Sequence, residues 1–345
     1  MRNNAPAPAG YAPHLTRRNF FNRCGAGLGG IALASLPGAG RLFGAETRPA
    51  KTPLRLGVSG GEAMWRGVAP RMRGATLGMF FRDPAAFDAM LFVDAGRLEA
   101  GLVGRCLSAN KPVMLVADSW LSADVLKALS ATAQQTKTQL AVANPERFLP
   151  SRQLIRQHLE SGKLGEPGLV RLHRWEPAPA NRRSAAPEWP TSLLRDLELA
   201  LSLMGRSPNS IYGLQRLANE RDTSAGRSVL VHLGFPGGGM ATIDYADRLP
   251  PGDDYVSLTV VGSSGATYAD DHQNMQLVYR GGRPQSVRTE ERGRQLAAMA
   301  QGFVDDLKAN RDFSPTVAAW AGALAVADSV RRSFASRQAI NLEVL

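Results

Sequence analysis

Short apolar runs alternate with helical segments in the first half of the chain, and this alternation constrains the fold more than any other feature. Helices are predicted at residues 62–72, 98–109 and 122–136, the last opened by Ser122 as its N-cap. Strands are predicted at Leu54–Ser59, Ala75–Phe81, Ala89–Val93, Val113–Ala117 and Leu140–Ala143. Strands separated by helices are typical of a parallel sheet with helices on its faces. The first half therefore predicts an α/β fold.

The pattern changes after Pro150, where strand-like runs follow one another with fewer helices between them. Helices are predicted at residues 152–161, 193–204, 294–309 and 316–336. Strands are predicted at residues 168–175, 210–217, 228–235, 239–245, 255–261 and 275–279. This pattern indicates an α+β domain with a large, open, mostly antiparallel sheet. We therefore predict one domain at residues 51–145 and a second at residues 146–345.

Composition excludes several classes of protein. Apolar residues make up 44% of the 345 residues and charged residues 21%, which is ordinary for a globular protein and unlike a disordered chain, a collagen or a coiled coil. No run of 18 apolar residues occurs, so we expect no stable membrane span. The two cysteines, Cys24 and Cys106, exclude a disulfide scaffold and a Cys-rich zinc site. We predict no metal site.

The net charge of +11 is uneven along the chain. Residues 1–50 carry six arginines against the single acid Glu46, whereas the remaining excess is scattered over the rest of the sequence. Lys/Arg blocks with interleaved aromatic residues, which nucleic-acid-binding proteins use, do not occur. Nucleic acid is therefore not an expected partner.

The first 50 residues have the parts of an export signal. The segment from Thr16 to Phe21, with paired Arg17 and Arg18, resembles a twin-arginine signal, and an apolar run with small residues follows it. We predict a signal peptide and linker at residues 1–50, with cleavage at an undetermined point in residues 35–46. The twin-arginine export machinery would then be a partner, and the location periplasmic or otherwise exported. The alternative is a disordered basic tail.

Several motifs in order along the chain carry a resemblance to a known family. They are Arg147-Phe148-Leu149-Pro150, Ser161–Pro167, the Val261–Ala266 segment and Phe303–Leu307. Over residues 54–345 the chain resembles the Gfo/Idh/MocA oxidoreductases, the family of glucose–fructose oxidoreductase and inositol dehydrogenase. The resemblance implies a Rossmann domain followed by an α+β domain, NAD or NADP as cofactor, and a sugar-like substrate. It also implies a homo-oligomer formed through the broad sheet of the second domain.

The dinucleotide-binding residues that the resemblance implies are mostly missing. The family's Gly-x-Gly-x-x-Gly corresponds to the segment from Gly60 to Trp65, which keeps only the first glycine and has Glu62 in place of the second. Two like charges 4 Å apart repel by about 4 kcal/mol at an effective dielectric of 20. The attraction of a helix N-terminus for an anion, about 0.3–1 kcal/mol, is smaller. Alternatively, Glu62 is a solvated acid of the first helical turn.

The adenosine end of the predicted cofactor groove is also altered. Phe81 stands where the family has the acid that binds the ribose, and Asp83 follows two residues later. Asp83 either reaches a ribose or is a turn acid before Pro84. A strand and a helix that normally separate this point from Ala89 are predicted to be missing. Gly60, Gly61 and Asp83 are the remaining candidates for cofactor binding, and we expect that binding to be weak or absent.

The catalytic residues that the resemblance implies are replaced. The family's Glu-Lys-Pro corresponds to Val116-Ala117-Asp118, so alanine replaces the lysine. Its Asp-x-x-x-His-x-x-Asp helix corresponds to Asp196, Ala200 and Leu203, and this face of the helix becomes an apolar stripe. Alanine cannot transfer a proton, so neither Ala117 nor Ala200 can take part in acid–base catalysis.

Three residues remain as candidates for a relocated acid or base: Asp118, Asp196 and His173. Asp118 is alternatively a loop acid or a cap. Alternation places His173 on one sheet face with Arg171 and Trp175, which could hold an anionic or sugar ligand if that face meets the first domain. Otherwise the face is solvated or a subunit contact. Asp270-Asp271-His272 has the residue types of a metal site, but is expected to be a solvated loop.

Two hypotheses about function follow. The first is a catalytically degenerate relative that acts in binding, or as a partner or scaffold, outside the cytoplasm. The second is an active NAD(P)-dependent oxidoreductase with a relocated acid or base. The loss of both the lysine and the histidine favours the first.

Overall fold

The structure, a computed structural model, describes residues 52–60, 65–79, 83–93, 100–177, 189–217, 227–250, 253–270, 275–278, 285–288 and 291–342. The described residues belong to one compact unit that starts at Thr52. The predicted signal at residues 1–50 lies outside the described residues, as do Gly61, Glu62, Phe81, Asp271 and His272.

The first half of the chain forms a parallel sheet of five strands in the order β2-β1-β3-β4-β5. The strands are β1 Leu54–Val58, β2 Ala75–Met79, β3 Ala89–Phe92, β4 Val113–Val116 and β5 Leu140–Ala143. Strands β3, β4 and β5 are buried along their whole length, as the uninterrupted apolar runs of parallel strands require. The predicted shortened, Rossmann-like α/β domain is confirmed.

Two helices of this half lie where the periodicity predicts them. They are α1, Ala100–Ser108, and α2, Ala123–Gln135. The Ser122 side chain accepts a hydrogen bond from the Val125 amide at 3.4 Å, so it caps α2 as predicted.

The connections around β1 and β2 are short. Within the described residues 83–88, the link from β2 to β3 contains a 3₁₀ turn at Pro84–Ala86, which agrees with the predicted loss of a strand and a helix. The prediction of a helix at residues 62–72 is wrong for the second half of that range. Its helical residues end at Arg66, and a 3₁₀ turn follows at Ala69–Arg71. Gly67 and Pro70 explain this early end, because glycine weakens a helix and proline lacks the amide hydrogen.

The second half forms a seven-stranded sheet in the order β11-β10-β6-β9-β8-β7-β14. Its strands are β6 Pro167–Pro177, β7 Ser210–Leu217, β8 Arg227–Gly234, β9 Met240–Leu249, β10 Tyr255–Gly262, β11 Ala266–Asp270 and β14 Ile340–Asn341. Strands β6 and β9 pair in parallel and the other neighbours pair antiparallel, which confirms the mostly antiparallel sheet. Two further strands, β12 Met275–Val278 and β13 Gln285–Arg288, form a separate ribbon.

Four further helices lie in the described ranges: α3 Pro150–Glu160, α4 Thr191–Met204, α5 Glu291–Lys308 and α6 Ser314–Ser336. Helices α4 and α6 share one apolar core with the inward side chains of the second sheet. Helix α5 instead packs on the first sheet, where Met299 and Phe303 join Leu56 and Leu91 in a second core. The domain boundary predicted between residues 145 and 146 stays a prediction. Helix α5 belongs to the second predicted domain by sequence but packs on the sheet of the first. No helix in the described ranges is long and apolar enough to span a membrane.

Candidate active site

The end of β1 turns sharply at Gly60, whose φ is +102°, a region that favours glycine. Next to it, the Ser59 hydroxyl accepts a hydrogen bond from the Val93 amide at 3.0 Å and donates one to the Val93 carbonyl at 3.2 Å. The ends of β1 and β3 are thereby tied together at the edge of the sheet where open α/β folds bind ligands.

Trp65 fills the place of the third glycine of the phosphate-binding motif. Its side chain is 3% exposed and packs with Leu56, Val58 and Val68, while its indole nitrogen donates to the Ser59 carbonyl at 2.8 Å. A glycine at this place allows close packing of helix and strand, and the indole occupies that space. The described helical residues end at Arg66, and a turn follows them. The described residues therefore do not fit a dinucleotide pyrophosphate.

Asp83 is a turn acid before Pro84. Its carboxylate accepts a hydrogen bond from the Ala85 amide at 2.9 Å and caps the 3₁₀ turn that follows. The neighbouring strand, β2, is the edge strand of the sheet. Of the two alternatives for Asp83, a ribose ligand or a turn acid, the structure gives it the position of the turn acid.

The carboxyl end of β4 is covered by α4. Ala117 is fully buried, and its carbonyl accepts a hydrogen bond from Arg195 Nε at 2.8 Å. Asp118 accepts one from the Thr191 hydroxyl at 3.0 Å, and the Ser119 amide donates to the same hydroxyl at 3.2 Å. Because Thr191 is the first residue of α4, the Asp118 carboxylate lies at the positive end of that helix. Asp118 thus binds the first residue of α4 through its side chain.

The carboxyl end of β5 is covered by the next turn of the same helix. The Asn144 side-chain amide donates to the Arg195 carbonyl at 2.8 Å and to Glu198 Oε2 at 2.6 Å. Glu198 is buried and also pairs with Arg147, which donates to both carboxylate oxygens. Each buried charge therefore has a partner of opposite sign, as burial of an ion requires.

Asp196 is held in a buried ion pair. Its carboxylate is fully buried and accepts hydrogen bonds from Arg174 Nε and Nη2 at 2.6 and 2.8 Å. Burial raises the pKa of Asp196, and the Arg174 charge opposes that rise. Arg174 also lies 3.1 Å from Glu146 and 3.6 Å from Glu176. These ion pairs connect β6, α4 and the segment after β5. Asp196 is therefore part of a buried ion-pair network that links these elements.

The surroundings of Glu146 lower the pKa of its carboxyl group, whereas those of Asp196 raise it. Burial alone would raise the pKa of Glu146, but the positive charges of Arg174, Arg152 and Arg195 outweigh it and hold that pKa below its usual range. Glu146 is therefore ionised in the native protein and contributes to holding the buried arginines together.

With this geometry described, known proteins provide a comparison. Residues 153–268 match the family model of the GFO/IDH/MocA C-terminal domain. The chain is 24% identical over 275 residues to inositol 2-dehydrogenase of Rhizobium meliloti, covering 75% of this chain and 82% of that protein. Residues 153–268 therefore match this family's C-terminal domain, and the chain as a whole is similar to the Gfo/Idh/MocA oxidoreductases. The resemblance seen in the sequence motifs is confirmed.

Solved structures share the fold over most of the chain. A myo-inositol dehydrogenase from Corynebacterium glutamicum superimposes with a TM-score of 0.67 at 14% identity, covering 85% of this chain and 99% of that one. GenD2 from gentamicin A biosynthesis, in complex with NAD, gives a TM-score of 0.66 at 16% identity, covering 88% of this chain and all of that one. At these identities the likeness shows the fold.

The apolar stripe predicted on α4 is confirmed. Leu197 and Ala200 are fully buried, and Met204 is 4% exposed in the same core. Ala200 therefore does not line an open cleft, just as Ala117 does not. Ala117 and Ala200, which the sequence resemblance places at the positions of the family's lysine and histidine, are both fully buried.

His173 lies on the opposite side of the second sheet from α4. Its Nδ1 is 3.2 Å from Asp244 Oδ2, and Arg171 and Trp175 share this outer face, as their alternation predicts. The inward neighbours Leu172 and Arg174 face α4. The face that carries His173 thus does not meet the first sheet, and the structure does not bring Asp118, Asp196 and His173 together.

Sequence reasoning missed the residues that occupy this site: Thr191, Arg195, Glu198, Asn144 and Arg147. One signal was available, because Arg195, Asp196 and Glu198 are charged residues in a largely apolar helix and so require partners when they are buried. Their partners could not be named, since Asn144 and Arg147 lie about fifty positions away in the chain.

Two cavities lie away from this site. One of about 620 Å³ is bordered by Arg71, Arg73, Gln301 and Lys308 near the start of β2. The other, of about 200 Å³, is bordered by Trp189, Arg227, Arg331 and Phe334. In the described part of the chain, no three His, Cys, Asp or Glu side chains form a group that could hold a metal ion.

Proposed function

We propose that this protein is a catalytically degenerate member of its family, which acts through binding, as a partner or scaffold, outside the cytoplasm. The observation that carries the proposal is that α4 hydrogen-bonds the carboxyl ends of both β4 and β5, through Arg195 to Ala117 and through Glu198 to Asn144. Ligands of open α/β sheets bind at this edge. Here Ala117, Asp118 and Asn144 at this edge are hydrogen-bonded by α4.

The side chains at the family's catalytic positions support the same proposal. General acid–base catalysis contributes typically about 10²- to 10⁴-fold to a rate, and it needs a titratable group within hydrogen-bonding distance of the substrate. Ala117 and Ala200 provide none, and both are fully buried. Asp118 and Asp196 are bound to Thr191 and Arg174. A substrate hydroxyl would thus find no proton acceptor among the family's positions.

The proposal includes weak or absent binding of NAD and NADP. The cofactor would supply hydride transfer if it bound, as the NAD in the GenD2 structure indicates for the fold. In this chain, the buried Trp65 indole occupies the space that a glycine would leave for the close approach of helix and strand, which opposes a bound pyrophosphate. A sugar-like ligand bound without the cofactor is compatible with this reading.

The second candidate function is an active NAD(P)-dependent oxidoreductase on a sugar or polyol, with a relocated acid or base. It is favoured by the shared fold with NAD-containing relatives. The test is an assay of nicotinamide reduction by the full chain over a panel of sugars and polyols, run beside Asp118→Ala and His173→Ala. We expect no turnover above background. Robust turnover that either variant abolishes would overturn the proposal and identify the acid or base.

Export is the part of the proposal that rests on the sequence alone. The paired arginines lie just before an apolar run with small residues after it, which supports a twin-arginine signal. We expect Arg17→Lys combined with Arg18→Lys to leave folded precursor in the cytoplasm, with none outside it. Fractionation of cells that express each form measures this. Unchanged appearance outside the cytoplasm would contradict the assignment.

A further inference from the structure

A cavity of about 620 Å³ lies between the start of β2 and one side of α5. Its volume falls in the range of small-molecule sites, about 300–1,000 Å³. Ligands of open α/β sheets bind at the opposite edge, beyond the carboxyl ends of the strands. Because β2 has five residues that rise by about 3.3 Å each, the two edges are roughly 16 Å apart. The cavity is therefore separate from the edge that binds the family's cofactor.

Positive charge dominates the described lining of this cavity. Arg71, Arg73 and Lys308 contribute three basic side chains, and Asp305 is the one acid among the described lining residues. All four residues are exposed to solvent, so all four side chains are charged at neutral pH. A concave surface lined mainly by one sign of charge concentrates ligands of the opposite sign. The lining therefore favours an anion.

The backbone turns both arginines away from the core. Met72, which lies between them, has extended backbone angles of φ −78° and ψ 140°, and its side chain packs against the core of the first sheet. Side chains alternate along an extended segment, so Arg71 and Arg73 share the other side. The Arg71 guanidinium donates to the Gly67 carbonyl. Within the described ranges, the Arg73 guanidinium makes no hydrogen bond or ion pair, so its donors are available to a ligand.

Helix α5 fixes the segment that carries these arginines. Gln301 Nε2 donates to the Arg73 carbonyl at 3.3 Å, and the Arg73 amide donates to Gln301 Oε1 at 2.7 Å. Lys308 Nζ donates to the Gly74 carbonyl at 2.6 Å. Gly74 has a φ of +63°, and a β-carbon at this position would collide with Lys308 Nζ, so glycine allows the close approach. These contacts hold the segment in place before a ligand binds, which lowers the cost of binding.

We propose that this cavity binds a small molecule that carries a chain of two or three phosphate groups. The planar guanidinium of Arg73 matches two oxygens of one phosphate, while the Lys308 ammonium acts as a point charge. A chain of phosphates can reach more than one of the three cations, and its charge outweighs the single carboxylate of Asp305. The proposal does not depend on whether the family's site is catalytic.

Titration calorimetry of the full chain with sodium tripolyphosphate at low ionic strength tests the site. We expect saturable binding by the parent, and binding at least about tenfold weaker by Arg73→Ser, because a charged hydrogen-bond donor is lost. Arg73→Lys keeps the charge without the planar fork and should lie between the two. Lys127→Gln removes one positive charge at an exposed position of α2 and should bind like the parent. No saturable binding by the parent, or equal affinity of Arg73→Ser, would overturn the proposal.

A gain of affinity tests the charge argument in the opposite direction. Asp305→Asn removes the acid of the lining but keeps an oxygen that can accept from Gln301 Nε2, as Asp305 does at 2.8 Å. We expect it to bind tripolyphosphate about threefold more tightly or better, whereas Asp124→Asn on α2 should leave the affinity unchanged. Citrate, a tricarboxylate, should bind the parent at least about tenfold more weakly than tripolyphosphate does. Unchanged or weaker binding by Asp305→Asn, or citrate binding as tight as that of tripolyphosphate, would overturn the assignment.

The same variant separates this site from the family's cofactor site, since NAD also contains a pyrophosphate. Micromolar NAD binding that persists in Arg73→Ser would come from the other edge of the sheet, and would contradict the proposed function while leaving this site standing. Absence of tripolyphosphate binding by the parent would overturn the phosphate site alone.

Discussion

At the scale of single residues, Trp65 is the side chain on which the proposed loss of cofactor binding depends most. It packs in the core beside Val58 and Val68, at the position where the resemblance implies a glycine. The missing glycine could be read from the sequence. Burial of the indole and its bond to the Ser59 carbonyl could not, because they depend on how β1 and β3 are packed.

Truncation of Trp65 should therefore cost stability. We expect Trp65→Ala to lower the free energy of unfolding by about 3–5 kcal/mol, because it leaves a large cavity. Trp65→Phe keeps a ring in the core and loses the hydrogen bond to Ser59, so a smaller loss is expected, with about 1 kcal/mol from that bond. Urea unfolding of the three proteins measures both. A loss for Trp65→Ala no larger than that for Trp65→Phe would show that the indole is not part of the core.

The pH dependence of stability should depend on Glu146. Because its folded pKa lies below its ordinary value of 4.5, Glu146 stabilises the native state above that pH, and the contribution is lost as pH falls through the folded pKa. We expect Glu146→Gln to be less stable than the parent at neutral pH and to lose less stability on acidification below pH 4.5. Denaturant unfolding at a series of pH values checks this.

The matched control for that series is Glu160→Gln. Glu160 is exposed on α3 and pairs with Arg156, an arrangement that contributes little to stability. The control should keep the parent's acid dependence. If Glu146→Gln followed the parent curve as closely as Glu160→Gln does, the buried arginines would not be what lowers the pKa of Glu146.

At the scale of secondary-structure elements, α4 is the central piece. Its apolar side packs in the core, while Arg195 and Glu198 bind the ends of β4 and β5. The helix and its apolar stripe could be predicted because they follow from local periodicity. The site that α4 covers could not, because it depends on contacts between segments far apart in the chain.

Restoring the family's side chains on these elements should be costly. Ala117 and Ala200 are both fully buried, so we expect Ala117→Lys and Ala200→His each to lower the free energy of unfolding, by about 1–3 kcal/mol from overpacking alone. A buried lysine charge adds to this cost. Ser202→His, at an exposed position of the same helix, should change it by about 0.5 kcal/mol or less. Neutral effects at both alanines would indicate an open cleft and favour the enzyme hypothesis.

Strand prediction failed where strands are short or lack an apolar run. Strands β13 and β14 have four and two residues, and none of the five residues of β11 is buried. Such segments carry little hydrophobic pattern of their own, and pairing with a neighbour defines them. The turn before β11 was the better signal, since the Gly262 amide donates to the Gly265 carbonyl in the hairpin that the Val261–Ala266 motif indicates.

At the scale of the whole molecule, the two kinds of sheet followed from the order of strands and helices in the sequence. The return of α5 to the first sheet did not, because an amphipathic helix has no sequence signal for which sheet its apolar side will cover. The same limit applies to the outer face of the second sheet. Alternation showed that Arg171, His173 and Trp175 share a face, but only the fold shows that this face lies away from α4.

The central claim is that the family's cofactor site has been lost in this chain, and direct binding tests it best. Isothermal titration calorimetry of the full chain with NAD, and separately with NADP, measures the affinity without requiring turnover. We expect no saturable heat up to millimolar cofactor, which corresponds to a binding free energy weaker than about −4 kcal/mol. Saturable binding at micromolar concentration, about −8 kcal/mol, would contradict the account and revive the oxidoreductase hypothesis.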